Sequence, residues 1–204
     1  MVSSVIIPVL SLVTFAGIHS LTASLRFKRL LVRVLGDWAD RLYLPAYSLV
    51  SVLTILPLMY LLYRNPGRVL YKVPSPWRWL MICGQLIAGL LAPGAFRDAP
   101  HRFKIRSQLS GPQVSEAGGS LKIRGIYRRV RDPFLLSGLV MIWLTPVMTV
   151  NLLIIYLLAT IYLFLGSLHW ETRLVAQFGD EYREYRKRVH RIIPGLKGSF
   201  KESD

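Results

Sequence analysis

The longest charge-free part of the sequence consists of two apolar runs, residues 134–150 and 152–168. A basic turn, residues 125–133, precedes them, and a polar tail, residues 169–194, follows them. As helices, the two runs are long enough to reach most of the way across the hydrocarbon core of a bilayer. We therefore predict a helical hairpin in the membrane whose polar ends return to the same face. A carboxylate, an arginine and several tyrosines would gather there.

The composition points to a membrane protein. Of 204 residues, 52% are hydrophobic and only 18% are charged, and the mean hydropathy is +0.40. The formal net charge of +15 is large enough for a nucleic-acid-binding protein. However, the basic residues are dispersed over short loops between apolar runs, as in membrane proteins, so we predict no nucleic-acid partner. The sole cysteine, Cys83, excludes an intrachain disulfide and a cysteine-rich metal site.

Three further apolar runs, residues 5–23, 42–63 and 77–96, are long enough to span a membrane. The first lacks a basic segment before it, which favours a retained span over a cleaved signal peptide. We predict an all-α integral membrane protein of about five transmembrane helices, with a C-terminal hairpin and an amphipathic cytoplasmic tail.

The predicted spans divide the chain into four parts. Residues 1–96 form a three-span membrane region, and residues 97–132 form a basic cytoplasmic loop. Residues 133–196 contain the hairpin and the tail, and residues 197–204 are expected to be disordered. Within the loop, residues 98–119 are polar and aperiodic, which fits a solvated connector or a mobile lid over the cytoplasmic site.

The arginines and lysines predict the orientation. Residues 26–41, 97–131 and 173–191 are rich in these basic side chains, and five spans place all three segments on one side. The opposite side carries only Arg64, Arg68, Lys72 and Arg78. The positive-inside rule then puts the amino terminus outside and the carboxyl terminus in the cytoplasm, in a multi-pass protein of the inner membrane.

The tail contains one helical stripe, with an expected break at Gly179-Asp180. The stripe consists of Glu171, Val175, Phe178, Tyr182, Tyr185 and Val189. Steps of four and three residues place these side chains on one helix face. The opposite face, from Arg183 to Arg191, is basic, as in a helix that lies on anionic lipid. That account leaves Glu171 unexplained, because an unpaired charge on an apolar face is costly.

Turn, hairpin and tail together form a motif. Its elements are Gly125-x-Tyr127, Arg131-x-Pro133, Glu171, Phe178-Gly179-x-x-Tyr182-x-x-Tyr185 and Ile193-Pro194. This order resembles the isoprenylcysteine carboxyl methyltransferase and phospholipid methyltransferase superfamily. The segment from His19 to Ser24, His-Ser-Leu-Thr-Ala-Ser, is most similar to the NnrU-like and methanethiol S-methyltransferase branch. The resemblance is close over the last third of the chain and looser before it.

The resemblance implies a membrane enzyme that binds S-adenosylmethionine on the cytoplasmic side and methylates a small thiol or a lipid-borne nucleophile. The fold would be a helical bundle, and the sequence contains no glycine-rich dinucleotide fingerprint. Because a sulfonium already activates the methyl group, such an enzyme needs alignment more than acid or base. Arg131 would clamp the cofactor's carboxylate, and Glu171 would meet its amino group or the positive field near the sulfonium.

Five more residues would complete the cofactor site, with the tyrosines lining the adenosine and methionine parts. They are Tyr127, Pro133, Phe178, Tyr182 and Tyr185. No metal ligand is predicted among the site residues.

The sequence departs from the family motif at three positions. The usual Arg-His-Pro-x-Tyr is replaced by Arg-Asp-Pro-Phe-Leu at residues 131–135, and the usual Glu-Glu pair is replaced by Trp170-Glu171. The anion at Asp132 would repel the cofactor's carboxylate unless Arg131 or Arg129 neutralises it. The fold is therefore more firmly implied than the activity.

Two alternative functions follow from these departures and from the histidines. In the first, Arg131 and Glu171 form no more than an ion pair that joins the hairpin ends. The chain would then be a catalytically silent family member that serves as a subunit of a membrane complex. Alternatively, His19 and His169, each at the end of a predicted span, would be axial haem ligands, as proposed for isomerase relatives of NnrU.

Reporter fusions test the predicted orientation. After Lys197, a reporter that works only in the cytoplasm is expected to be active, and one that works only in the periplasm is expected to be inactive. The reason is that the loops with the most basic residues stay on the cytoplasmic side. A fusion at Lys72 should show the opposite behaviour. Periplasmic activity at Lys197 would contradict the orientation.

Overall fold

The computed structural model describes residues 3–98, 109, 121 and 123–193. Almost all of the expected connector at residues 98–119, and the tail at residues 197–204, lie outside the described residues. The helices are α1 (Ser3–Ala23), α2 (Leu25–Leu35), α3 (Ala39–Arg64), α4 (Trp77–Asp98), α5 (Pro133–Trp143) and α6 (Val150–Arg188). Two 3₁₀ helices, Gly36–Trp38 and Gly125–Arg128, and two strands, β1 (Val69–Lys72) and β2 (Val147–Thr149), complete the described elements.

The prediction of an all-α, multi-pass membrane protein is confirmed. In the described part of the chain, α1, α3, α4 and α6 are long and apolar enough to cross a membrane, and α5 is a shorter apolar helix. Their outer surfaces expose many large apolar side chains, such as Leu49, Leu86 and Leu90. Such exposure is typical of helices that face lipid.

The first half of the hairpin is shorter than predicted. The apolar run 134–150 contains a helix of only 11 residues, which rises about 16 Å, roughly half the hydrocarbon thickness. Pro146 explains part of the difference, because the residue before a proline is disfavoured in the α conformation. Beyond it, Val147–Thr149 forms β2, which pairs with β1 in antiparallel register, Val69 opposite Thr149. Hydropathy did not indicate either strand.

The described chain divides into two compact units. The first contains α1, α2, α3, the two strands and α6 up to Tyr162. Its core is formed by Leu12 of α1, Leu58 and Leu62 of α3, and Ile155 of α6. In this unit the side-chain amide of Asn151 donates to the carbonyl of Asn65, 2.8 Å away, and so links the start of α6 to the end of α3.

The second unit contains α4, the 3₁₀ turn at Gly125–Arg128, α5 and the rest of α6. Polar side chains connect its apolar helices. The hydroxyl of Ser137 donates to the carbonyl of Ala88 at 2.6 Å, and the amide of Gln85 donates to the carbonyl of Met141 at 2.8 Å. Such bonds hold helices together where apolar burial alone gives little preference over lipid.

The core of this unit is built largely from the predicted stripe. Tyr182, Tyr185 and Val189 are buried with Tyr127 and other residues of the turn, and Phe178 and Val175 pack against them. The expected break is also confirmed, because Gly179 has a φ of 56° inside α6. A left-handed residue lets the last helical turns change direction and keep the stripe on the core.

Gly125 sets the geometry of the turn before α5. Its φ is 52°, and a Cβ there would lie 1.8 Å from Oδ2 of Asp98. The same Oδ2 accepts the backbone N–H of Ile126 at 3.1 Å, which fixes the turn to the end of α4. Only glycine fits both the conformation and the space.

Gly125→Ala is therefore expected to lower the free energy of unfolding by about 2–3 kcal/mol, the sum of a left-handed alanine and a lost hydrogen bond. Gly89→Ala is the matched control, since a Cβ at this helical position meets no atom within 4 Å. Thermal unfolding in detergent should show a lower midpoint for the first variant alone. Equal midpoints would contradict this account of the turn.

Candidate functional site

The two polar ends of the hairpin lie together in the second unit. The backbone N–H of Arg131 donates to the carbonyl of His190 at 2.9 Å, and that of Asp132 donates to the carbonyl of Arg191 at 3.1 Å. These two successive bonds join the turn before α5 to the segment after α6. They bring residues far apart in the sequence to one place.

Glu171 lies at the centre of this place and contacts three arginines. Nη1 of Arg131 is 2.5 Å from its Oε1, and Nε of Arg186 is 3.0 Å from the same oxygen. A guanidinium nitrogen of Arg191 contacts Oε2. The Glu171 side chain is only 9% exposed, so these charge-assisted bonds replace the water that the carboxylate has lost.

The cluster of Glu171, Arg131, Arg186 and Arg191 carries a formal excess of two positive charges. Arg131 and Arg191 are largely buried, with side chains 13% and 19% exposed. Nε of Arg131 is buried and has no hydrogen-bond partner within the described part of the chain. Buried donors are rarely left unpaired in proteins. The cluster can therefore accept an anionic group.

The structure thus brings Arg131 and Glu171 together, as the hairpin predicts. Sequence reasoning missed Arg186 and Arg191, which it assigned to the basic, lipid-facing side of the tail. Arg186 is 15 residues from Glu171, about 22 Å along a straight helix, and Arg191 lies beyond the end of α6, so a continuous helix would keep both away from the carboxylate. The one available signal was the carboxylate itself, because a buried anion requires a cation nearby.

The predicted aromatic site residues belong to the apolar core of the second unit. Tyr182 and Tyr185 are each 3% exposed, with ring centroids 5.6 Å apart, and Tyr127 is 7% exposed. The hydroxyl of Tyr185 donates to the carbonyl of Tyr127 at 2.7 Å. Phe178 is partly buried against this core. In the structure they support the turn and the tail, and their contact with a cofactor stays a prediction.

Asp132 has a structural role that the sequence did not indicate. It is the N-cap of α5, and its Oδ1 accepts the backbone N–H of Leu135 at 3.0 Å. Pro133, fully buried, follows as the first helical residue. The helix N-terminus stabilises the anion. This reduces the repulsion expected between Asp132 and a bound carboxylate.

The hydrogen bonds of His19 conflict with its interpretation as an axial haem ligand. Its Nε2 lies 2.6 Å from the hydroxyl of Tyr47, and its Nδ1 lies 3.1 Å from Oγ of Ser51. Ser51 Oγ also donates to the carbonyl of Tyr47, so Nδ1–H is the donor to Ser51 and Nε2 accepts from Tyr47. Both ring nitrogens are thus engaged in the first unit. Among the described residues no group of three or more His, Cys, Asp or Glu side chains could hold a metal ion.

Comparison with known proteins decides the family. A family model described as "NnrU protein" matches residues 7–191. The chain belongs to the NnrU family.

Several relatives of this chain share the name methanethiol S-methyltransferase. The methanethiol S-methyltransferase 1 of Bradyrhizobium diazoefficiens is 29% identical over 197 residues, which cover 94% of this chain and 67% of the relative. The methanethiol S-methyltransferase of Mycobacterium tuberculosis is 28% identical over 197 residues, 94% of this chain and 78% of the relative. That of Pseudomonas deceptionensis is 39% identical over 79 residues, 39% of this chain and 30% of the relative. No solved structure matches the chain significantly. The predicted resemblance to this branch is confirmed.

The N-cap in this NnrU protein yields a stability test. Asp132→Ala removes the acceptor for Leu135 N–H and should destabilise the protein by about 1 kcal/mol. Asp132→Asn keeps a capping oxygen and should cost much less, which makes it the matched control. Unfolding midpoints in detergent check the difference. Equal loss in both variants would mean that the charge, not the cap, matters at this position.

Proposed function

We propose that this NnrU protein is a membrane methyltransferase that uses S-adenosylmethionine and methylates a small thiol, with a lipid-borne nucleophile as the alternative acceptor. The single observation that carries the proposal is the cluster around Glu171, with its excess positive charge and the unpartnered Nε of Arg131. The names of its relatives, which align over nearly the whole chain, support the reaction class.

The donor set fits the amino-acid end of such a cofactor. Guanidinium groups bind carboxylates through paired N–H donors, and Arg131 and Arg191 present such groups in a largely water-free place. A carboxylate has about four acceptor positions, and arginines occupy three of those on Glu171, so about one remains for an amino group. When bound, the cofactor supplies a methyl group that its sulfonium has already activated.

The residues of this chain then act by holding and aligning. Glu171 fixes the guanidinium groups and limits their mutual repulsion. The hydrogen bond from Tyr185 to the carbonyl of Tyr127 ties the tail to the turn that precedes Arg131. Alignment and exclusion of water are the main requirements of a transfer between an activated methyl group and a sulfur nucleophile.

Calorimetry on the detergent-solubilised protein tests cofactor binding. The wild type should bind S-adenosylmethionine. Arg131→Ala should weaken binding by about 2–4 kcal/mol, which is about 30-fold to 1,000-fold in Kd. In this variant Glu171 keeps Arg186 and Arg191 as partners, so the fold should survive. Arg183→Ala is the control, because Arg183 is exposed and pairs only with the exposed Asp180 among the contacts described for it.

The remaining outcomes separate the alternatives. If the wild type shows no heat at millimolar cofactor, the methyltransferase proposal fails and the silent-subunit or haem alternatives remain. A Soret band in the purified protein would then select haem, and its absence would select the subunit. If the cofactor binds, transfer of an isotopically labelled methyl group to methanethiol or to extracted lipid distinguishes the two classes of acceptor.

A further inference from the structure

The amphipathic helix α2 in the first unit has an exposed basic face. Arg26, Arg29 and Arg33 are all exposed and follow one another at steps of three and four residues, which places them on one side of the helix. Beside them, Leu30 and Val34 are 52% and 70% exposed. This stripe of three arginines and two apolar residues is called the basic face below.

The opposite side of α2 is packed inside its own unit. Leu31, Val32 and Leu35 pack against the buried Ala39 and Tyr43 of α3. This packing holds α2 in one orientation. The basic face therefore points away from the core of the unit, and its exposure is not the result of a loosely attached helix.

Lys28, the remaining basic residue of α2, shows the contrast between the two sides of the helix. It is only 4% exposed, and its ammonium lies 5.0 Å from the centroid of the Tyr43 ring. A cation on the packed side is thus buried against an aromatic face. The three arginines on the other side are exposed.

The two apolar helices on either side of α2 determine its depth relative to a membrane. α1 is long and apolar enough to span and ends at Ala23, and α2 begins at Leu25 after the capping residue Ser24. α3 begins at Ala39 and is apolar enough to span again. α2 and the 3₁₀ helix Gly36–Trp38 therefore connect the ends of two packed spans. Such a connector has to lie at the membrane surface.

We propose that the basic face of α2 binds the headgroups of anionic phospholipids in the leaflet at which α1 ends. Guanidinium groups pair with phosphate through two parallel hydrogen bonds, and Leu30 and Val34 would enter the acyl boundary, as in interfacial amphipathic helices. Trp38, in the 3₁₀ helix that follows α2, is 60% exposed, with the Arg41 guanidinium 5.4 Å from its ring centroid. An exposed tryptophan beside arginine is typical of the headgroup level of a bilayer.

Lipid retention by the full-length protein tests this proposal. In neutral detergent, native mass spectrometry measures the affinity for added dioleoylphosphatidylglycerol and dioleoylphosphatidylcholine. The wild type should prefer the anionic lipid. Replacing Arg26, Arg29 and Arg33 together by Gln should lower the affinity for phosphatidylglycerol at least about tenfold, because each basic residue at the surface adds a favourable contribution. The affinity for phosphatidylcholine should change little.

A matched control has the same change in net charge elsewhere in the first unit. Arg64, Arg68 and Lys72 are also exposed, and replacing all three by Gln should leave lipid affinity within about twofold. A second variant, with Arg26→Lys, Arg29→Lys and Arg33→Lys, keeps the charge and should retain the preference for the anionic lipid, with lower affinity because lysine lacks the paired donors. Circular dichroism checks that all variants fold.

Three results would overturn the proposal. The wild type could retain both lipids equally, the two Gln variants could lose phosphatidylglycerol equally, or the Lys variant could lose the preference as fully as the Gln variant. The first would leave an acidic protein as the better partner for the basic face. None of the three bears on cofactor binding at the Glu171 cluster, which lies in the other unit.

Discussion

The buried charge of Glu171 is the constraint on which the second unit depends. A carboxylate this deep in an apolar protein is stable only if cations and hydrogen bonds replace its hydration. Three arginines from two separate segments do so. The left-handed Gly125, the cap of α5 and the backbone bonds between turn and tail all help to bring these segments together. One cluster of charges thus connects parts of the motif that are some sixty residues apart.

The same rule explains the polar contacts elsewhere in the apolar helices. Because lipid offers no hydrogen-bond partners, each polar side chain there has to find one in the protein. His19 bonds to Tyr47 and Ser51, and Ser137 bonds to a carbonyl of α4. These bonds specify which helix faces meet, whereas apolar contacts with neighbouring helices and with lipid are similar in free energy.

Arginine has two different uses in this chain. At the Glu171 cluster, three arginines outnumber one carboxylate, and Arg131 and Arg191 are largely buried, which supports the proposed small anionic ligand. On α2, arginines alternate with exposed leucine and valine and have no described acidic partner among the ion pairs, which favours an extended anionic surface. The two proposed sites thus differ in the burial of their arginines and not in the sign of their charge.

The sequence alone determined the membrane class, the positions of the long helices and the stripe from Glu171 to Val189. These properties depend on the local length and period of apolar residues, and a left-handed break at Gly179 is likewise a local preference. The sequence also predicted that Arg131 and Glu171 meet, because a hairpin of two apolar runs returns its polar ends to one face, although the helices of the two halves differ in length.

Only the tertiary structure decided the end of α5 at Trp143, the pairing of β1 with β2, and the partners of Glu171. Strand pairing and charge matching depend on distances between residues far apart in the chain, which periodicity does not encode. Judged by the sequence around them, Arg186 and Arg191 are typical of a solvated basic face. The change of direction at Gly179 brings them within reach of a buried carboxylate that a straight helix would leave about 22 Å away.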